Sequence, residues 1–128
     1  MKEQGYQTKI MKAWEAKGGW VVNGNYTKAG EADLQGGWPV YYEKVIGQHQ
    51  EIVLLYLAVE VKTEKDYYRV MKCINEVGGE YIIVHGQTGL KEHEPLQIAK
   101  INMVRKRGGL AILAYDIKQV EEYVNANS

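Results

Sequence analysis

Asp33, Glu60 and Lys62 are charged residues in positions that invite a chemical explanation. Glu60 and Lys62 close the run from Ile52 to Lys62, IVLLYLAVEVK, which is otherwise almost continuously apolar and rich in valine and leucine. Such a run suits a central strand covered on both faces. Side chains alternate along a strand, so Glu60 and Lys62 share one face and Val61 points to the other. Opposite charges side by side at the end of a buried strand are costly to desolvate. The plain structural reading is a cross-strand ion pair at a sheet edge. The chemical reading adds Asp33, whose carboxylate would meet Glu60 at one edge of the sheet. Two such carboxylates repel strongly unless a cation lies between them. Mg²⁺ (or Mn²⁺) suits that place, being a hard cation that takes one or two carboxylates, waters and phosphate oxygens. The Val61 carbonyl would be a further ligand. Lys62 would orient or deprotonate an attacking water, or stabilise charge building on phosphorus. A metal that polarises a phosphodiester and activates water supplies the rest.

The elements that must position these residues follow from periodicity. Between Lys2 and Lys17, Tyr6, Ile10, Ala13 and Trp14 recur at helical spacing, and Gly18-Gly19 is a natural stop. Glu3, Gln7, Ile10 and Trp14 run along one side of that helix. Taken alone, Glu3 reads as a solvated acid in a first turn, favoured by the helix dipole. Trp20-Val21-Val22 predicts a short strand, and Asn23 to Gly30 a loop or hairpin connection. Ala32-Asp33-Leu34 opens a second strand, expected to run out at Gly36-Gly37-Trp38-Pro39. Val40 to Glu51 reads as a hairpin excursion or an irregular loop. Beyond Lys62 the pattern predicts a helix from about Asp66 to Glu76, a strand from Tyr81 to Val84 and a loop from His85 to Glu94. A helix opened by Pro95 then runs to Arg107. Leu110 to Ala114 is a strand, and Asp116 with Gln119 three residues on resembles a capping box. The last helix should bury Ile117, Val120 and Val124. "Helix, Gly-Gly, aliphatic strand" recurs at Gly18, Gly78 and Gly108. Helices and strands alternating in 128 residues imply one α/β domain with a mixed sheet.

Gly30-Glu31-Ala32-Asp33 followed by Glu60-Val61-Lys62 resembles the G-x-P/A-D … E-x-K signature of PD-(D/E)xK nucleases. The surrounding order resembles one branch of them, the virus-type replication-repair nuclease (VRR-NUC) family. There a first helix carries a glutamate and often a glutamine one turn later, as Glu3 and Gln7 stand here. A later helix carries a glutamine, and the chain runs through Gly-Gly into an aliphatic strand and a final helix. Pro95-Leu96-Gln97 and Gly108 to Asp116 resemble that segment. Ala32 stands where many members have proline.

This resemblance implies a restriction-endonuclease-like mixed sheet flanked by helices. It also implies a metal-dependent endodeoxyribonuclease acting on branched DNA such as four-way junctions, working as a homodimer. Glu3 and Gln97 then join Asp33, Glu60 and Lys62 as catalytic residues, with Asp33, Glu60 and Val61 on the metal. The segment 66–94 is read as an insertion. If it is not one, the helix beginning near Asp66 supplies the motif position, and Gln97 is a core-facing polar residue.

Sixteen basic and sixteen acidic residues leave no net charge. That balance counts against attachment to nucleic acid by bulk electrostatics, though a local basic patch would suffice. Lys9, Lys12, Lys28, Arg105 and Arg107 are the candidate phosphate contacts; Arg105-Lys106-Arg107 reads equally as a solvated helix end. His49, His85 and His93 lack ligand spacing, and Cys73 reads as a buried small apolar residue. No apolar run is long enough to span a membrane and no signal-like start is present, so a cytoplasmic setting is expected, a host cell's for a virus-encoded member. Two rival functions remain: a nuclease for other DNA ends or overhangs, and a non-catalytic nucleic-acid-binding or assembly module on the same fold.

Overall fold

The computed structural model describes residues 1–24, 32–43, 50–85 and 88–128. Its elements are α1 (Glu3–Ala16), β1 (Trp20–Asn23), β2 (Leu34–Glu43), β3 (Gln50–Val61), α2 (Glu64–Met71), β4 (Ile74–Val77), β5 (Glu80–Ile83), α3 (Glu94–Lys106), β6 (Leu110–Ala114) and α4 (Ile117–Asn127). The main sheet has the order β1-β2-β3-β6. β1 and β3 each run antiparallel to β2, while β6 runs parallel to β3, so the sheet is mixed. A parallel neighbour needs a crossover, and α2, the β4–β5 hairpin and α3 supply it.

Alternation along β3 decides what lies on each face. Leu57, Val59 and Val61 point one way and pack with Leu34, with Ile10 and Trp14 of α1, and with Val120 and Val124 of α4. Ala58 points the other way, joining Ala111 and Leu113 of β6, Val70 of α2, Ile98 and Ile101 of α3, and Tyr81. Helices therefore cover both faces of the sheet, in a single small α/β domain. The expected capping box is present: Asp116 Oδ1 accepts from the Gln119 amide at 2.9 Å, and Gln119 returns its side chain to the Asp116 amide.

Several expectations change. β3 is covered on both faces only where β6 pairs with it, from Leu57 to Val61. Ile52, Val53, Leu54 and Tyr56 are exposed. β2 does not run out at Pro39 but pairs with β3 as far as Glu43. Pro39 is tolerated because it lies past the last β1 partner, Gly37, where that edge of β2 needs no donor. The helix expected over 66–76 starts earlier and ends at Met71; Thr63 caps it by accepting from the Asp66 amide at 3.1 Å. Ile74–Val77 folds as a strand because Gly78 and Gly79, at φ +60° and +78°, turn it back onto β5. That is a hairpin turn of the kind in which both central residues need positive φ. Gly78 is thus not a helix stop, whereas Gly18 and Gly108 follow helix ends with φ of +92° and +86°.

Candidate active site

Glu60 and Lys62 lie on the face of β3 turned toward α3, and α3 answers them in register. Lys62 Nζ meets Glu94 Oε2 at 3.0 Å, and Gln97 Nε2 donates to Glu60 Oε1 at 2.9 Å. Two strand residues advance ~6.6 Å and a helical turn ~5.4 Å, so residues two apart on the strand can meet residues three apart on the helix. Glu94 and Gln97 have that spacing.

Asp33 arrives from the other side of the strand. Leu34 pairs with Val59, so Asp33, one residue before β2, comes level with Glu60. The ladder stops there, and the Val61 amide donates instead to Asp33 Oδ2 at 2.9 Å. The N–H and C=O of one strand residue point to the same side, so the Val61 carbonyl also faces Asp33. The Lys62 amide points the opposite way, to the Ala114 carbonyl of β6 at 3.0 Å.

Glu60 is buried and its carboxyl is close enough to Asp33 for a hydrogen bond. Desolvation first, then the Asp33 charge and that hydrogen bond, push the Glu60 carboxyl up to about 9; Lys62 pulls the other way. Glu3, at the start of α1, is also raised, by desolvation and then by Asp33, with Lys62, Asp66 and His93 acting on it too. The first-helix glutamate therefore stands in the same electrostatic neighbourhood as the strand carboxylates. Among the described residues no group of three His, Cys, Asp or Glu side chains is arranged to hold a metal ion. A hard cation of the magnesium type asks less than that. Two neighbouring carboxyls, with a strand carbonyl on the same side, form an oxygen donor set that fits it.

Lys62 is as buried as its partner: their side chains are 6% and 1% exposed. Glu94 is held on three more sides. Arg69 of α2 grips it with both terminal nitrogens, at 2.7 and 2.8 Å, and the Lys91 amide donates to Oε1 at 2.6 Å. Burial alone would raise the Glu94 carboxyl. The hydrogen bonds from Arg69, the Lys91 amide and Lys62 outweigh it and bring the carboxyl down to about 2. Glu94 and Arg69 were not among the residues singled out by sequence. The available signal was the position of Glu94, one turn before Gln97 on the same helix.

The remaining candidates separate. Gln7 is buried on α1, and among the described residues its Oε1 has no hydrogen-bond partner; the Gln97 Oε1 is likewise buried without one. Lys9 and Lys12 are exposed on α1, and Arg107 is exposed at the far end of α3. Arg105 is committed within the fold. It donates to the Ala111 carbonyl at 2.7 Å and to Glu76 Oε1 at 2.7 Å, and its guanidinium lies over the rings of Tyr81 and Tyr123. That engagement argues against the expected phosphate-contact role for Arg105. Lys28, Gly30, Glu31 and His49 lie outside the described residues. Cys73 is buried, as expected, and its Sγ donates to the Arg69 carbonyl. Beside Glu60 and Gln97 a cleft of about 270 Å³ opens, floored by Ala58 and Ala111 and bounded by Gln35, Tyr56 and Lys100.

Comparison with known protein families, with curated proteins and with solved structures gave no match.

Proposed function

We propose that this chain is a metal-dependent endodeoxyribonuclease of the PD-(D/E)xK type, hydrolysing phosphodiester bonds in branched DNA such as four-way junctions. The observation that carries the reading is Asp33 set on the Val61 amide at 2.9 Å and level with the buried Glu60, with Lys62 on the same strand face as Glu60. A structural ion pair at a sheet edge accounts for Lys62 and an acid. Asp33 does satisfy the Val61 amide, yet an ion pair gives no reason for that acceptor to be a second carboxyl beside a buried Glu60, where it raises the cost of ionisation.

In this reading Asp33, Glu60 and the Val61 carbonyl would hold Mg²⁺ or Mn²⁺, which polarises the phosphodiester and activates water when bound. Gln97 orients Glu60 through the 2.9 Å hydrogen bond. Lys62 brings a cationic donor toward the place where charge builds on the phosphoryl group. Glu3 adds a further carboxylate near Asp33. Lys9, Lys12 and Arg107 are exposed and free to meet the DNA backbone, which positions the duplex without reading its sequence. The reading includes a homodimer, since one small domain holds one such site and a four-way junction needs two cuts. The exposed Ile52, Val53 and Leu54 support it as surface that a second copy would cover. Among the described residues no helix is long and apolar enough to cross a membrane.

The test is cleavage of a labelled four-way junction, beside linear duplex and single strand, with Mg²⁺, Mn²⁺ or EDTA. Metal-dependent cutting that Asp33→Asn abolishes is expected. Binding without cutting under either metal would instead favour the non-catalytic nucleic-acid-binding module.

A further inference from the structure

Lys62 is the side-chain cation proposed to act at the phosphoryl group beside the metal, and its environment raises a question of placement. A lysine has four rotatable bonds, and holding its ammonium at one point costs side-chain entropy unless something fixes it. Here the fixing group is Glu94. Its carboxylate is almost wholly buried and accepts from Lys62 Nζ, from both terminal nitrogens of Arg69 and from the Lys91 amide. The socket is rigid for a physical reason. A fork-to-fork guanidinium–carboxylate pair fixes the plane of the carboxylate, and the backbone donor fixes its rotation. Glu94 is also the first residue of α3, one turn before Gln97, so one helix end sets both Lys62 and Glu60.

Resting on the nuclease reading, we infer that Glu94, clamped by Arg69, is a positioning residue that fixes the Lys62 ammonium relative to Glu60. Arg69, Lys91 and Glu94 are accordingly working parts of the site. The alternative, a buried ion pair that only holds α2 and α3 together, has a different signature. A purely structural pair affects the stability of the whole domain and acts on catalysis independently of Lys62. A positioning residue acts through Lys62 and has no effect once Lys62 is gone.

The experiment is a double-mutant cycle on single-turnover cleavage by the full chain, with Lys62→Ala, Glu94→Gln and the two combined. Glu94→Gln keeps the shape of the side chain and removes its charge. It should lower the cleavage rate ~10- to 100-fold, the usual range for a group that orients a reactive ligand, with DNA Kd unchanged. The double variant should be no slower than Lys62→Ala alone. Arg69→Lys, which keeps the charge and loses the fork, should fall between Glu94→Gln and the natural protein. A Glu94→Gln protein that cuts at the natural rate, or losses that multiply in the double variant, would overturn the inference.

A second readout separates this from failure of the nuclease reading. In ¹⁵N-lysine spectra the hydrogen-bonded Lys62 ammonium should give a slowly exchanging signal that Glu94→Gln abolishes. A natural protein that cuts no DNA but shows that signal would sink the nuclease reading while leaving Glu94 as the group that orders Lys62. A signal that persists in Glu94→Gln would remove the socket itself.

Discussion

Gln97 Nε2 donates to Glu60 Oε1 at 2.9 Å, from the second turn of α3 to the last residues of β3. The contact leaves the Gln97 carbonyl oxygen buried, with no partner among the described residues. A half-buried glutamine whose carbonyl oxygen is shielded and unmet is a poor structural choice, since an unmet buried acceptor costs ~1–3 kcal/mol. Gln97→Ala should therefore leave folding intact, with Tm within a few degrees of the natural protein. Cleavage should fall by at least tenfold through loss of the Glu60 orientation. Equal losses of Tm and activity would mean that Gln97 is only a core residue.

Glu60 offers a prediction that needs no substrate. Its carboxyl is raised to about 9 from the ordinary 4.5, so between those values the folded protein holds a proton that the unfolded chain has released. Stability tied to this group is full below about 4.5 and is lost as the pH rises toward about 9. Thermal unfolding in EDTA from pH 5 to 9 should show this decline for the natural protein. Glu60→Gln cannot ionise, so its profile should be flatter and its Tm several degrees higher at pH 8. Parallel declines in the two proteins would show that the slope comes from other groups.

The same proton predicts what a cation does. Binding between Asp33 and Glu60 requires both carboxylates to be ionised, so near pH 7 each Mg²⁺ bound should release about one proton. Calorimetry in buffers of differing ionisation enthalpy measures that number directly. Bound metal should also raise Tm, by an amount that grows with its concentration over Kd. Mg²⁺ binding with no proton release, undiminished in Asp33→Asn, would place the cation elsewhere.

Much of the architecture was legible because its signals are local. The Asp116 cap and the Leu110 to Ala114 strand emerge as expected, and α1 differs from its expected span by a residue at each end. Alternation alone put Glu60 and Lys62 on one face, and helical spacing turned Gln97 inward toward Glu60. The relations that failed depend on neighbours distant in sequence. The first half of β3 is as apolar as the second, yet it is exposed because β6 reaches only to Leu57. Gly78-Gly79 has the same composition as two helix stops, and only the pairing of β4 with β5 makes it a hairpin. Glu94 had only its place one turn before Gln97 to mark it, for the same reason. Its partners Arg69 and Lys62 lie 25 and 32 residues away, and nothing in its local sequence announces them.

Arg105 separates folding from DNA binding. Its side chain is only 10% exposed, and it links Glu76, the Ala111 carbonyl and the rings of Tyr81 and Tyr123. Removing it would strand a buried carbonyl and leave a gap between two rings, whereas Glu76 is half exposed and loses little. Arg105→Met is expected to cost ~2–3 kcal/mol, chiefly from packing and the lost hydrogen bond to Ala111. That corresponds to a fall in Tm of roughly 10 °C for a domain of this size. DNA affinity of the folded protein should be unchanged. Lys9→Ala combined with Lys12→Ala should do the reverse, leaving Tm unaltered while weakening DNA binding and reducing its dependence on salt. Binding isotherms at several salt concentrations, taken below the Tm of each variant, distinguish the two. A loss of affinity in Arg105→Met with a shallower salt slope would return that arginine to the DNA interface.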